Sequence, residues 1–341
     1  MKQLISENRF VHIVESFKTL PPIAVVGDVG IDKYTHGNVK RISPEAPVPV
    51  LEVTKEWHKL GLAANISHNL TTLGIRSTLC GVLGDDLNAN FFIDLMEEEN
   101  LSIDGLVRMP NRHTTLKERI LTEVQQICRI DYETLGNIDL ETENKILNNM
   151  EAALFAHEAL IVEDYGKGTL TERLTAKLIQ MFRKEGKIVT VDPSRSTPPR
   201  YYRGVNLLKP NLTEAKIMCQ SLGYRESNIE KIAEILVDAL NLQMLVVTMG
   251  PDGMAIVDTR KSHSVSIIPT VPTEVFDVSG AGDTAISVIT SSLLAGASLE
   301  EAAWIGNCAS GVVVGKKGTA TVNVGELCEF YKKMQRKISQ A

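Results

Sequence analysis

The apolar positions change period several times along the chain, and the changes divide it into regions. Residues 1–20 mix charged and apolar side chains at helical spacing, and Pro21-Pro22 stops that helix because proline cannot continue one. An apolar run at 23–26, closed by Gly27-Asp28, predicts a short buried strand. The stretch that follows is unlike a core. Residues 33–35 and 48–53 read as strands on either side of the turn Ser43-Pro44-Glu45-Ala46-Pro47. The spacing predicts a helix over 62–73 ended by Gly74, a strand over 78–83 and an amphipathic helix over 88–99. Residues 114–121 and 126–131 alternate like an antiparallel pair. The segments 33–56 and 103–131 are therefore expected to form a small sheet outside the main fold, a lid.

Beyond about residue 140 the pattern becomes regular. Strands are predicted at 159–162, 188–191, 205–208 and 244–248, with helices over 170–184 and from 213. Such alternation predicts right-handed βαβ units and a mostly parallel sheet. Residues 254–257 and 265–269 read as antiparallel edge strands, and helices at 281–296, 299–314 and 325–337 close the chain. The expected class is α/β: a three-layer α/β/α core carrying the lid sheet, all in one unit over 1–341.

Composition narrows the function classes. Of 341 residues 43% are hydrophobic and 23% charged, which excludes disorder and disulfide-dense mini-domains. The net charge is −6 with the two signs interspersed, which argues against nucleic-acid or membrane partners but allows a local basic pocket for a phosphorylated small molecule. Five cysteines, with no CxxC pair, predict free thiols in a reducing compartment. No leader pattern or long apolar span stands out, so the expected location is the cytoplasm.

The sharpest chemical signal is Asp277-Val278-Ser279-Gly280-Ala281-Gly282-Asp283-Thr284 before an apolar helix. Gly280, Ala281 and Gly282 leave backbone N–H groups open to an anion at a helix start, and Asp283 in the first turn can accept a hydroxyl proton. Together these suit phosphoryl transfer. Tight packing with a capping acid explains the same residues without a ligand.

Lys209-Pro210-Asn211-Leu212-Thr213-Glu214 lies between a strand and a helix. Asn211 and Glu214 could order a magnesium ion directly or through water, and they equally spell a capping box. Thr248, Gly250 and Gly253 form a turn after a buried strand that a nucleotide could lie along. Asp28 and Asp32 could hold sugar hydroxyls, and Asn65, opening a helix after Gly61-Leu62-Ala63-Ala64, could bond a substrate. Lys117, Arg119 and Arg129 on the lid strands could meet a phosphate, or could simply charge a solvated edge.

The ensemble resembles the ribokinase-like (PfkB) carbohydrate kinases from residue 23 to about 324. Residues 277–284 resemble the family's C-terminal signature, and Asn211–Glu214 its NxxE motif. The segments 41–50, 126–131, 164–168 and 315–319 resemble the heptose-7-phosphate kinases in particular, in their stand-alone form. The resemblance implies ATP as co-substrate, Mg2+, and a monovalent cation as a further requirement to be tested. It implies Asp283 as general base and Asn307 beside the adenosine. Asp28, Asp32, Asn65 and Asp164 would bind the sugar, while Lys117, Arg119 and Arg129 would bind its phosphate. The reaction implied is phosphorylation of D-glycero-D-manno-heptose 7-phosphate at O1, feeding ADP-heptose and lipopolysaccharide or surface-glycan synthesis. A homodimer paired through the lid sheets is also expected.

Two departures from the family pattern are visible: Leu62 stands where a second glycine is usual, and Glu163 where serine is common. The alternatives are a kinase for another sugar or sugar phosphate and a non-catalytic sugar-binding relative. A dinucleotide enzyme is disfavoured, because no GxGxxG follows the first strand.

Overall fold

Two sheets organise the chain in this computed structural model, which describes residues 5–270 and 274–340. Helix α1 (Glu7–Ser16) leads into β1 (Ile23–Gly27), then β2 (Val29–Ile42) and β3 (Pro49–Leu62). Next come α2 (Ala63–Thr72), β4 (Ser77–Leu83), α3 (Leu87–Glu98), β5 (Leu106–Arg108), β6 (Thr115–Leu121) and β7 (Gln126–Tyr132). The alternating half follows with α4 (Leu140–Leu154), β8 (Ala159–Glu163), α5 (Glu172–Lys184), β9 (Ile188–Asp192) and β10 (Leu207–Leu208). It continues with α6 (Leu212–Ser221), α7 (Ile229–Leu240), β11 (Met244–Thr248), β12 (Met254–Asp258) and β13 (Ser266–Ile268). Helices α8 (Ala281–Leu294), α9 (Leu299–Val313) and α10 (Val324–Gln340) complete the described chain.

The large sheet has the order β13-β12-β11-β10-β9-β8-β1-β4-β5, parallel from β11 to β5, with β12 and β13 antiparallel at one edge. Its inner strands are buried on both faces, which is why they read as apolar runs rather than alternating ones. Ile23 and Val25 of β1 face one core with α1, α2, α3, α8, α9 and α10. Ala24 and Val26 face the other, with α4, α5, α6 and α7. The result is a three-layer α/β/α core. No helix among the described residues is long and apolar enough to cross a membrane.

The second sheet has the order β3-β2-β6-β7. Its strands differ from expectation in length: β2 and β3 each run 14 residues and pair antiparallel from Val29↔Leu62 outward. Their far ends are exposed, so no apolar run announces them. Residues 106–108, expected within the lid segment, instead extend the large sheet beside β4.

Strand order reverses between β1 and β8, since one connection leads outward to β4 and the other to β9. In parallel sheets the crevice at such a point, outside the carboxyl ends, is where ligands bind. Asp28 follows β1, Glu163 ends β8 with Asp164 just beyond it, Asp192 ends β9, and Lys209 follows β10.

Candidate active site

Helix α8 begins at Gly280, whose φ of 78° is a left-handed conformation that glycine adopts without penalty. A Cβ there would stand 2.9 Å from Asn65 Nδ2 and 3.0 Å from the Thr319 methyl, so the helix start is closed to larger residues. Asp283, in the first turn, is buried. Asn65 Nδ2 donates to its Oδ2 at 2.6 Å, and the Tyr165 hydroxyl donates to its Oδ1 at 3.0 Å. Burial dominates and pushes the Asp283 carboxyl up to about 6; Asn65 pulls it down and the charge of Asp192 adds to the rise. The outcome is a carboxylate held in place by two donors and ready to take a proton near neutral pH.

The strand ends supply its neighbours. One oxygen from each of Glu163, Asp192 and Asp283 lies within 4.8 Å of the others. Lys209 places its ammonium 2.7 Å from Asp192 Oδ2. A side chain at Gly282 would face this pair, since its Cβ would lie 3.5 Å from Asp192 and 3.6 Å from Lys209. The start of α8 thus presents bare backbone to a buried ammonium, a setting for a phosphate.

Asn211 caps α6. Its Oδ1 accepts from Glu214 N at 2.9 Å, and Glu214 Oε2 accepts from Asn211 N at 2.9 Å, a reciprocal capping box. Leu212 is half-buried and Thr213 exposed in the same turn. The box leaves Glu214 Oε1 without a hydrogen bond among the described residues. Burial and the nearby Asp192 raise the Glu214 carboxyl above its ordinary range, as in a site short of positive charge. An uncommitted hard oxygen in that setting fits a water-linked magnesium ion.

A cavity of about 440 Å³ opens beside α8. Thr248, Gly250, Gly253 and Asn307 line it together with Ala281 and Gly282, so the turn after β11 and the start of α8 share one space. Asn307 Nδ2 donates to Pro269 O at 2.7 Å and fixes the wall behind β13.

On the other side of Asp283 the expected sugar-binding acids are already engaged. Asp28 accepts three backbone N–H groups, from Tyr165, Lys167 and Thr169, at 3.0–3.1 Å. Asp164 accepts from Gly166 N at 2.6 Å and from the Tyr202 hydroxyl at 2.7 Å. Burial, with Asp28 close by, pushes Asp164 up to about 6. These two acids shape the 164–169 loop that presents Tyr165.

Asp32 accepts from Arg119 Nη1 at 2.5 Å and from Thr319 Oγ1 at 3.0 Å, tying the lid to the loop before α10. The three lid cations do not converge. Arg119 is spent on Asp32, and Arg129, opposite it across the ladder, is exposed and paired with Asp131 at 2.8 Å. Lys117 is half-buried, with its ammonium 6.0 Å from the centre of the Tyr165 ring.

Tyr165, Asp192, Lys209 and Tyr202 were not assigned site roles from the sequence. Three of them share one signal: they stand at or just beyond the carboxyl ends of β8, β9 and β10, where the reversed strand order directs a ligand. Tyr202 lies in a short helical turn, and nothing local in its sequence points to Asp164.

Residues 23–324 match the family described as pfkB family carbohydrate kinase. The bifunctional protein HldE of Sulfurimonas denitrificans is 38% identical over 331 residues, covering 96% of this chain and 68% of that protein. HldE of Wolinella succinogenes is 39% identical over 310 residues, covering 91% of this chain and 64% of that protein. The chain thus spans about two thirds of the length of these curated relatives. Among solved structures, Escherichia coli phosphofructokinase-2 in complex with potassium superposes with a TM-score of 0.73 at 20% identity, over 93% of this chain and 100% of that one. Arabidopsis thaliana ribokinase complexed with ribose and ATP gives 0.70 at 18%, over 92% and 99%. At these identities the structural likeness establishes the ribokinase-like fold.

Proposed function

We propose that this chain, which belongs to the pfkB family of carbohydrate kinases, phosphorylates the anomeric hydroxyl of D-glycero-D-manno-heptose 7-phosphate. The product is the 1,7-bisphosphate, a precursor of ADP-heptose for lipopolysaccharide or another surface glycan. As a family member it is an ATP-dependent sugar kinase; the heptose phosphate and the O1 position are the proposed part. The observation that carries the reading is Asp283. It is a buried carboxylate with a raised proton affinity, held by Asn65 and Tyr165 and directly following Gly282, which lines the 440 Å³ cavity.

In this reading ATP lies along Thr248, Gly250 and Gly253 and past Asn307, with its phosphates toward Gly280, Ala281 and Gly282. The backbone N–H groups of that turn and the Lys209 ammonium stabilise charge on the transferring group. Magnesium, when bound, neutralises phosphate charge, and Asn211 with Glu214 orders its water shell. Asp283 takes the proton of the sugar hydroxyl. An anomeric hydroxyl is more acidic than an ordinary alcohol, so a carboxylate base suffices. Asp28 and Asp164 fix the loop on the sugar side, Asp32 and Arg119 brace the lid, and Lys117 faces the sugar's phosphate, with Arg129 at the rim. The lid excludes water and limits wasted ATP hydrolysis.

The work is cytoplasmic in this reading, where ATP is available and five unpaired cysteines stay reduced. Two copies pair through their lid sheets, whose β3 and β7 edges are open and whose Val39, Ile42, Val53 and Ile130 are exposed.

A coupled ADP assay over a sugar panel, with and without potassium, tests the reading. The heptose 7-phosphate is expected to give the highest kcat/KM. Equal turnover of an unphosphorylated sugar would overturn the substrate assignment. Wild-type turnover by Asp283→Asn, expected to fall ~10²–10⁴-fold with ATP binding kept, would overturn the base.

A further inference from the structure

Glu163 ends β8 between β1 and β9, and its side chain is buried in a cluster with Asp192 and Asp283. The three clustered carboxyl groups are unequally provided for. Asp283 accepts from Asn65 and Tyr165, and Asp192 is neutralised by Lys209 at 2.7 Å. Glu163 is 3% exposed, and its Oε2 is buried with no hydrogen-bond partner.

The groups around it are Asp192 from β9, Asp283 from α8, Lys209 beyond β10, and Asp164 and Tyr165 from the continuation of its own strand. Three carboxyl groups and a phenol thus surround it against one ammonium, which Asp192 already occupies. A second unpaired negative charge in that space would be opposed by burial and by every acid facing it. A proton on Glu163 removes the conflict and supplies an O–H donor to a pocket rich in acceptors.

We infer that Glu163 passes through the reaction as an uncharged carboxylic acid that leaves the pocket's negative charge to Asp283, and that loss of its proton shuts the kinase down on the alkaline side. Burial first, then Asp192 and Asp283, hold its proton well above the ordinary carboxylate range. Two neighbouring carboxyl groups thereby take opposite states, one acid and one base, and titrate as a pair. Glu163 is a positioning residue: it acts through Asp283 and through the charge met by the incoming phosphates. The inference rests on Asp283 being the base.

The test is the pH profile of kcat for the wild type, Glu163→Gln and Glu163→Ser, each normalised to its own maximum. Infrared difference spectra of the whole protein at neutral pH accompany it. The wild type is expected to show an acidic limb from Asp283 and an alkaline limb from Glu163. Both variants should keep the acidic limb and lose the alkaline one, or move it outward by about one pH unit or more. The wild type alone should show the carbonyl band of a buried protonated carboxyl assignable to Glu163. An alkaline limb unchanged in both variants, or no such band, would overturn the inference. So would Mn2+ binding to the nucleotide-free wild type that Glu163→Gln abolishes, because the cluster would then be a cation site. Asp283→Asn separates the two readings: full activity there removes the base, while the infrared band still reports the state of Glu163 independently.

Discussion

Asn65, at the start of α2, donates a 2.6 Å hydrogen bond to Asp283, in the first turn of α8, across 218 residues of sequence. The bond joins the helix that follows β3 to the carboxylate next to Gly282, which lines the 440 Å³ cavity. It also acts on that carboxylate's proton. A donor to the charged form favours it, so Asn65 holds Asp283 lower than burial alone would. Asn65→Ala is therefore expected to move the acidic limb of kcat to higher pH and to lower kcat at pH 7 by roughly tenfold, in line with loss of a hydrogen bond to a charged group. A profile whose limb stays at its wild-type pH would show that Asn65 does not tune the base.

The same burial sets a stability cost with a defined pH window. Asp283 and Asp164 are each pushed up to about 6, against about 3.9 for an unfolded aspartate. The folded state therefore binds their protons more tightly than the unfolded chain does. The stability they contribute is complete below about pH 4 and is lost as pH rises through about 6. Two pKa units per group correspond to at most about 3 kcal/mol. Asp283→Asn is expected to melt a few degrees above the wild type at pH 8, with the gap closing near pH 4. Calorimetry at both pH values checks this; an unchanged or lower Tm at pH 8 would contradict the burial account of Asp283.

Much of this was legible before the structure, and the exceptions have physical causes. The buried strands β1, β8, β9 and β11 and the helices around them announce themselves, because burial on both faces favours apolar residues, with polar ones mainly at the carboxyl ends. Gly280–Asp283 and Asn211–Glu214 stand out because a helix start that meets an anion or needs a cap admits few residue types. The lid was underestimated because the outer halves of β2 and β3 are exposed and mix polar with apolar residues, so no continuous apolar run marks their length. Asp28 and Asp164 stand out in the sequence as acids after strand ends, but their hydrogen-bond partners do not. Whether a carboxylate faces a sugar or a loop's N–H groups depends on where residues 165–169 run, which no local pattern encodes. Tyr165 and Lys209 reach the pocket only once strand order is known.

Lys117 separates from the other lid cations. Arg119 and Arg129 each have a carboxylate partner, whereas Lys117 lies over Tyr165, whose hydroxyl touches Asp283. Burial, with Lys167 nearby, lowers its proton affinity, so a bound phosphate would restore what the pocket withholds. Lys117→Ala is expected to raise KM for a phosphorylated acceptor about tenfold or more and to leave KM for ATP unchanged. Arg129→Ala should change KM less, because that guanidinium is exposed and already paired. Steady-state kinetics of the two variants on one acceptor decide; a larger effect at Arg129 would place the phosphate at the lid's rim.

Leu62 carries the sharpest test of local physics. It joins β3 to α2 with φ 58° and ψ −139°, a region essentially reserved for glycine, yet its side chain is buried at 5% exposure. Two terms compete there. Burying the leucine side chain contributes about 1.5–3 kcal/mol, and holding a Cβ in that conformation costs about 1–3 kcal/mol. Leu62→Ala discards the first and keeps the second. Leu62→Gly discards both. In an ordinary element interior glycine is about 0.5–1 kcal/mol worse than alanine. Here the order should invert, with the glycine variant about 1 kcal/mol or more the stabler of the two in urea unfolding. If alanine proves the stabler, the junction of β3 and α2 relaxes without strain, and Leu62 is there for its packing beside Gly30 alone.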